Sequence, residues 1–187
     1  LRDIADESRF RMDTALEDLA SELLLSGAGI MHKLQGTVTS QLKAPFERDG
    51  KTETLPMTVI RNLANDPEED VRKRAYETEL RAWESVREPV AFALNCVKGA
   101  AGTLSRRRGY EGVLHASLER NRMDRATLDA LLESMKASFP TFRRYFRSKA
   151  KKLGKEKLPW WDLFAPVGTA ELEYTWEEAR DYIIEQF

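Results

Sequence analysis

Leu158-Pro159-Trp160-Trp161-Asp162-Leu163-Phe164-Ala165-Pro166 follows a basic, aromatic stretch, Phe142-Arg143-Arg144-Tyr145-Phe146-Arg147. Two adjacent tryptophans and an aspartate between prolines are too costly and too specific for a solvated linker. The segment is therefore expected to be an anchored loop, with apolar rings packed down and each indole N–H satisfied locally. A loop of this kind needs helices to sit on, and both flanks supply them.

Upstream, Arg9 to Leu25 has helical spacing through Met12, Leu16, Leu19 and Leu23. Gly27 and Gly29 punctuate it before a short helical piece, Ile30 to Leu34. Asp66-Pro67-Glu68-Glu69 is a helix start, with an Asp cap, Pro at the first helical position and acids that complement the dipole. The helix it opens carries Val71, Ala75, Tyr76, Leu80 and Trp83. Pro89 begins or kinks the next, with Val90, Leu94, Val97, Ala101 and Leu104 at helical spacing until Gly109-Tyr110-Glu111-Gly112. Asp124 caps a further helix through Leu128, Leu131, Leu132 and Met135, and Pro140 is expected to open another that Gly154 closes.

One region departs from helical spacing. Thr37-Val38-Thr39-Ser40-Gln41-Leu42 alternates and is β-branched, and the chain returns through Lys51-Thr52-Glu53-Thr54-Leu55 after Asp49-Gly50. Asp-Gly between strand-like runs is a strong hairpin signal, because such turns need positive φ. A hairpin is expected over residues 37–55. The fold class is mainly α, a multi-helix lobe with one β-hairpin.

The chain has 187 residues, 42% hydrophobic and 33% charged, with a formal net charge of -1. That length makes one domain with a sizeable core, and the charge balance gives no global attraction to polyanions or anionic membrane. A single cysteine, Cys96, cannot form an internal disulfide, and no apolar run approaches a membrane span, so a cytoplasmic location without a membrane partner is expected. Cys96, beside Leu94 and Val97, reads as a buried or partly buried bystander.

Chemistry-bearing residues are sparse. The two histidines, His32 and His115, lie far apart, outside any His-Glu-x-x-His helix, and both read as structural or surface residues. No catalytic residue and no metal ligand is assigned. The basic stretch 143–157 could displace counterions and stack bases as a nucleic-acid surface. The alternative puts Phe142, Phe146, Ala150 and Leu153 on a stripe facing a core, with the basic side chains solvated; this second reading is preferred. Arg106-Arg107-Arg108-Gly109-Tyr110 places positive charge at a helix C-terminus, where it offsets the dipole, and Arg108 could also fork onto a carboxylate.

In order and spacing the chain resembles oligoendopeptidase F, of the thimet oligopeptidase and neurolysin family. The resemblance runs through the Thr37–Leu42 segment, Asp49 to Pro56, Arg61-Asn62-Leu63-Ala64, Arg72 to Glu84, Ala93-Leu94-Asn95 with Lys98-Gly99, and Arg107 to Tyr110. It continues through Thr127 to Leu132, Phe139 to Ala150, the Trp-Trp-Asp-Leu-Phe-Ala-Pro loop and Tyr174 to Ala179. Ala100 stands where the family pattern suggests glutamate, and Trp161 where tyrosine is common. The resemblance implies part of a larger two-lobed helical peptidase that hydrolyses oligopeptides in an enclosed channel. It implies zinc in the parent enzyme, held by residues downstream of Phe187, with none bound by this chain. Trp160, Trp161, Arg108 and Tyr110 are the channel-wall candidates for substrate contact.

The expected partners are the remaining catalytic half of the same protein and, through it, oligopeptides. Both ends read as cuts: Leu1 is no initiator, and the helix opened by Thr175-Trp176-Glu177-Glu178 runs over residues 176–187 without a stop signal. Trp176, Ala179, Ile183 and Phe187 share one face of that helix, so self-association of the chain is a further expectation. The competing classes are a stand-alone helical interaction module without catalytic activity and a nucleic-acid-binding helical protein.

Overall fold

The computed structural model describes residues 8–168 and 174–186. Helix α1 (Thr14–Ser26) starts where the Asp13 carboxylate accepts the Leu16 N–H at 3.0 Å, so Arg9 to Asp13 lie outside the helix expected from Arg9. It turns at Gly27 directly into α2 (Ala28–Gln41). A Cβ on Gly27 would stand 2.8 Å from the Leu23 carbonyl oxygen, so the corner needs glycine.

Helix α2 corrects the expected strand at Thr37 to Leu42. Residues 37–41 are helical, and the hairpin occupies β1 (Lys43–Arg48) and β2 (Lys51–Pro56). The hydroxyls that suggested a strand bond back into the helix. Thr39 Oγ1 donates to the Gln35 carbonyl at 2.9 Å and Ser40 Oγ to the Thr37 carbonyl at 3.0 Å. Packing of α2 along the helix at residues 87–107 then overrides β propensity.

The turn is where the sequence places it. Asp49 and Gly50 both have positive φ, 53° and 73°, between the paired Arg48 and Lys51. That is the handedness a two-residue hairpin loop requires. In β1 Ala44 and Phe46 alternate inward, and Pro45 is tolerated because the sheet has only two strands.

Helix α3 (Met57–Asn62), a 3-10 turn (Leu63–Asn65) and α4 (Glu69–Ser85) follow. Asp66 acts as the helix-start acid but two residues early: its carboxylate accepts the Glu68 N–H at 2.9 Å and pairs with Arg48 at 3.1 Å. The main core lies here, under the hairpin, from Ala44, Phe46, Met57, Ile60, Val71 and Ala75. Arg74 covers its edge, donating to the Glu47 carbonyl at 2.6 Å with its guanidinium 5.3 Å from the Phe46 ring centroid.

Helices α5 (Arg87–Arg107), α6 (Val113–Arg120) and α7 (Arg125–Lys152) complete the main body, and α8 (Trp176–Gln186) lies beyond it in sequence. Pro89 sits in the first turn of α5, as a helix opener should. Pro140 does not open a helix; it lies inside α7, contrary to expectation. Proline removes one backbone donor, but Asp124 caps the start (Thr127 N–H at 2.6 Å) and stronger helix formers resume at Arg143 and Arg144. The helix ends at Lys152, so the basic stretch is not helical as far as residue 157.

Two further expectations are corrected. Cys96 is exposed on α5. On α7 only Lys149 and Ala150 are buried, whereas Phe142 and Phe146 remain 56% and 36% exposed, so the stripe meets the core at its C-terminal end alone. The capping box at Thr175 forms as read: Thr175 Oγ1 accepts the Glu178 N–H at 3.2 Å and the Glu178 carboxylate accepts the Thr175 N–H at 2.8 Å. Leu1 and Phe187 lie outside the described residues.

Replacing Gly50 by valine tests the turn in isolation, since nothing lies within 4 Å of its notional Cβ. The strain of a β-branched residue at positive φ should lower unfolding free energy by about 1–2 kcal/mol in urea denaturation.

Candidate functional site

The first two turns of α4 bring a charged residue onto the core face. Val71, Arg72 and Ala75 are all buried, and Arg72 extends toward the tryptophan loop. Its guanidinium donates from Nε (3.1 Å) and Nη2 (2.7 Å) to Asp162 Oδ1. Nη1 donates to the carbonyls of Asp66 and Pro67 at 2.7 and 2.8 Å. Asp162, with 0% exposure, also accepts from Lys155 at its other oxygen, and Lys155 bridges onward to Glu69. Lys149 of α7 donates to the Leu163 carbonyl at 2.8 Å. Three cations, Arg72, Lys149 and Lys155, thus hold the loop at Asp162 and Leu163.

The electrostatics follow from this geometry. Burial pushes the Asp162 carboxyl up, but Lys155 and Arg72 together outweigh it and hold the group below the ordinary carboxylate range. Lys155 likewise loses from burial and gains more from Asp162 and Glu69, so its ammonium is favoured. Lys149 shifts the other way, with burial the leading cause. Glu69 is lowered, first by its hydrogen bond from Lys155.

With Asp162 pinned, the two tryptophans diverge. Trp161 tilts against Tyr76 at a centroid distance of 5.9 Å, and Lys73 Nζ lies 5.6 Å from its ring. Its buried indole N–H makes no hydrogen bond to protein within geometric limits, which departs from the expectation that both indoles are satisfied. Trp160 stays 69% exposed on a short 3-10 turn (Trp160–Asp162), so it is no buried anchor. Between loop and helices lies a cleft of about 360 Å³, walled by Ile60, Tyr76, Leu80, Trp83, Trp160 and Phe164. At its rim Arg61 pairs with Glu79, whose Oε1 also accepts the Trp83 indole N–H at 3.0 Å.

The other two channel-wall candidates line no part of this cleft. Arg108, at the end of α5, forks onto Glu17 of α1 with Nε–Oε1 of 2.9 Å and Nη2–Oε2 of 2.6 Å. The carboxylate it grips is the chain's own. Tyr110 stacks on Phe10 at 4.3 Å, and His115 meets both rings edge-on. His32 is exposed on α2. Among the described residues no three His, Cys, Asp or Glu side chains are grouped to hold a metal ion. Catalytic zinc needs three protein ligands, and the residues present do not fit it.

Sequence reading singled out the loop and missed the partners that fix it. Arg72 carried a signal: a charged residue three positions before Ala75, on the buried side of an amphipathic helix, must find a counter-charge. The counter-charge lies 90 residues away, which no local pattern reports.

The chain belongs to Peptidase family M3: residues 62–184 match the model of that family. It is 22% identical over 165 residues to the group B oligopeptidase PepB of Streptococcus agalactiae, covering 84% of this chain and 28% of the relative. It is 22% identical over 141 residues to an oligoendopeptidase F homolog of Lactococcus lactis, covering 74% and 24%. Two crystal structures share the fold. A candidate peptidase from Chlamydophila abortus superimposes with a TM-score of 0.77 at 20% identity, over 95% of this chain and 30% of the other. Oligoendopeptidase-F from Enterococcus faecium gives 0.75 at 24% identity, over 91% and 34%. The chain therefore spans about a quarter to a third of the length of these relatives. No helix among the described residues is long and apolar enough to cross a membrane.

Because the folded Asp162 carboxyl titrates below its unfolded value, its stabilisation is complete above the unfolded pKa of about 3.9. It is lost as pH falls through the depressed folded value. Asp162→Asn should cost about 3 kcal/mol at neutral pH. The difference from wild type should shrink below about pH 4, as read by urea unfolding between pH 3 and 8.

Proposed function

We propose that this chain is a non-catalytic helical lobe of a zinc-dependent oligoendopeptidase, walling a channel that admits short peptides and excludes folded proteins. The observation that carries the reading is the family match over residues 62–184 in a chain spanning 24–34% of its relatives' length. The names of two of those relatives, an oligopeptidase and an oligoendopeptidase F homolog, supply the substrate class.

On this reading the catalytic ligands and base belong to the remainder of the protein, in the cytoplasm. The work of this chain is positional. The Asp162 latch holds Trp161 against Tyr76 and Trp160 at the cleft mouth, where the exposed Trp160 ring offers apolar contact to peptide side chains. Trp160 and Trp161 are the stronger substrate-contact candidates. Arg108 and Tyr110 are engaged with Glu17 and Phe10 and act through the shape of the wall.

The coding sequence that follows should encode a His-Glu-x-x-His motif. The longer product should cleave a quenched fluorescent oligopeptide, and the 187-residue chain alone should not. Trp160→Ala in the longer product should raise KM several-fold with kcat little changed, as loss of uniform binding does. Peptide cleavage by the isolated chain, or a following sequence without the motif, would overturn the reading in favour of an interaction module.

A further inference from the structure

Among the described residues the buried charged side chains are Asp66, Arg72, Lys149 and Asp162. Three of them stand in ion pairs, Asp66 with Arg48 and Arg72 with Asp162. Lys149 is the exception. Only 7% exposed, it makes one hydrogen bond among the described residues, to the Leu163 carbonyl, and no ion pair. The carboxylate that favours its charge, Asp162, is bonded to Arg72 and Lys155 instead, and the Arg72 guanidinium opposes it. Burial therefore holds the Lys149 ammonium below the ordinary lysine range. This burial is made inside the junction of α7 with the loop, so chain packed outside it would leave it in place.

A cation so placed works against folding. Desolvating an ammonium costs more than a single bond to a carbonyl returns. Methionine would occupy the same length of space with no charge to bury. What the bond achieves is local. Leu163 closes the 3-10 turn, its N–H donating to the Trp160 carbonyl at 3.2 Å, and the Ala165 N–H returns to the Asp162 carbonyl at 3.1 Å. The Leu163 carbonyl instead accepts from α7. It shares one rigid peptide plane with the N–H of Phe164, so a donor fixed on that oxygen fixes the direction in which the chain leaves for Phe164. Trp160, at the start of the turn, and Phe164, just after it, both wall the aromatic cleft.

We infer that Lys149 is a positioning residue for the cleft, holding the Leu163–Phe164 peptide plane, and with it the Trp160 and Phe164 walls, at a cost in stability. Lys149 and the Asp162 latch thus do separate work. The latch keeps the loop in the core, and Lys149 sets the angle at which its rings meet the cleft. The consequence for peptide binding rests on the reading of the chain as a peptidase lobe, whereas the placement of the walls does not.

Lys149→Met separates the two roles in the 187-residue chain. Its unfolding constant from urea denaturation at neutral pH should be smaller than that of wild type or within about threefold of it. In the same variant the indole 1H–15N resonance of Trp160 should shift, with that of Trp176, on a different element, unmoved. A larger rise in the unfolding constant would make Lys149 an ordinary support of the fold and overturn the inference. An unmoved Trp160 resonance would overturn it equally. In the longer product, Lys149→Met should raise KM for a quenched fluorescent oligopeptide several-fold with kcat little changed. An unchanged KM there, beside a raised KM for Trp160→Ala, would overturn the role in binding. A longer product that cleaves no peptide would sink the peptidase reading instead, and the stability and resonance measurements would still decide whether Lys149 places the walls.

Discussion

A carboxylate with no exposed surface sits at the junction of α4, the C-terminal end of α7 and the tryptophan loop. Burying a lone charge would cost several kcal/mol even after relaxation. Asp162 is tolerated because Arg72 and Lys155 occupy both its oxygens, and Arg72 spends its remaining donors on the carbonyls at the start of α4. Every other feature of the site follows from that satisfied charge. The 3-10 turn presses Trp161 against Tyr76, sends Trp160 outward and leaves the aromatic cleft between loop and helix.

The same junction organises the fold at larger scale. The hairpin, α3 and α4 share the main buried cluster, and Arg74 and Arg48 fasten the hairpin to α4 and its leading turn. The loop then ties residue 162 back to residue 72, across 90 residues of sequence. A second junction, Glu17 with Arg108, fastens α1 to the end of α5 through a bidentate pair at lower burial. By contrast, the apolar face of α7 gains little from this body beyond Lys149 and Ala150. Its exposed phenylalanines are not a part of that core.

What the sequence disclosed follows the range of the interactions concerned. The Asp49-Gly50 turn, the Asp124 cap and the Thr175–Glu178 box are local devices, and each is present. Thr37 to Gln41 misled because β-branched propensity is weak beside helix packing, and the hydroxyls found acceptors in the preceding turn. Pro140 misled because one proline cannot end a well-capped helix that continues to favourable residues on its far side. At the candidate site, composition pointed to the Trp-Trp-Asp loop, whereas the partner at Arg72 is 90 residues distant and needed the fold to reveal it. The exposure of Phe142 was equally hidden, since a helical stripe reports that a face is apolar and not what covers it.

The coupling between Arg72 and Asp162 tests this account most directly. A double-mutant cycle with Arg72→Met and Asp162→Leu, read by urea unfolding at neutral pH, separates the pair from its neighbours. Each single change should lower stability by about 3 kcal/mol or more, because each strands a buried charge. The double variant should recover part of that loss, with a coupling of at least about 2 kcal/mol. Additivity to within about 0.5 kcal/mol would contradict the account, since it would mean that Asp162 does not depend on Arg72 for its place in the core.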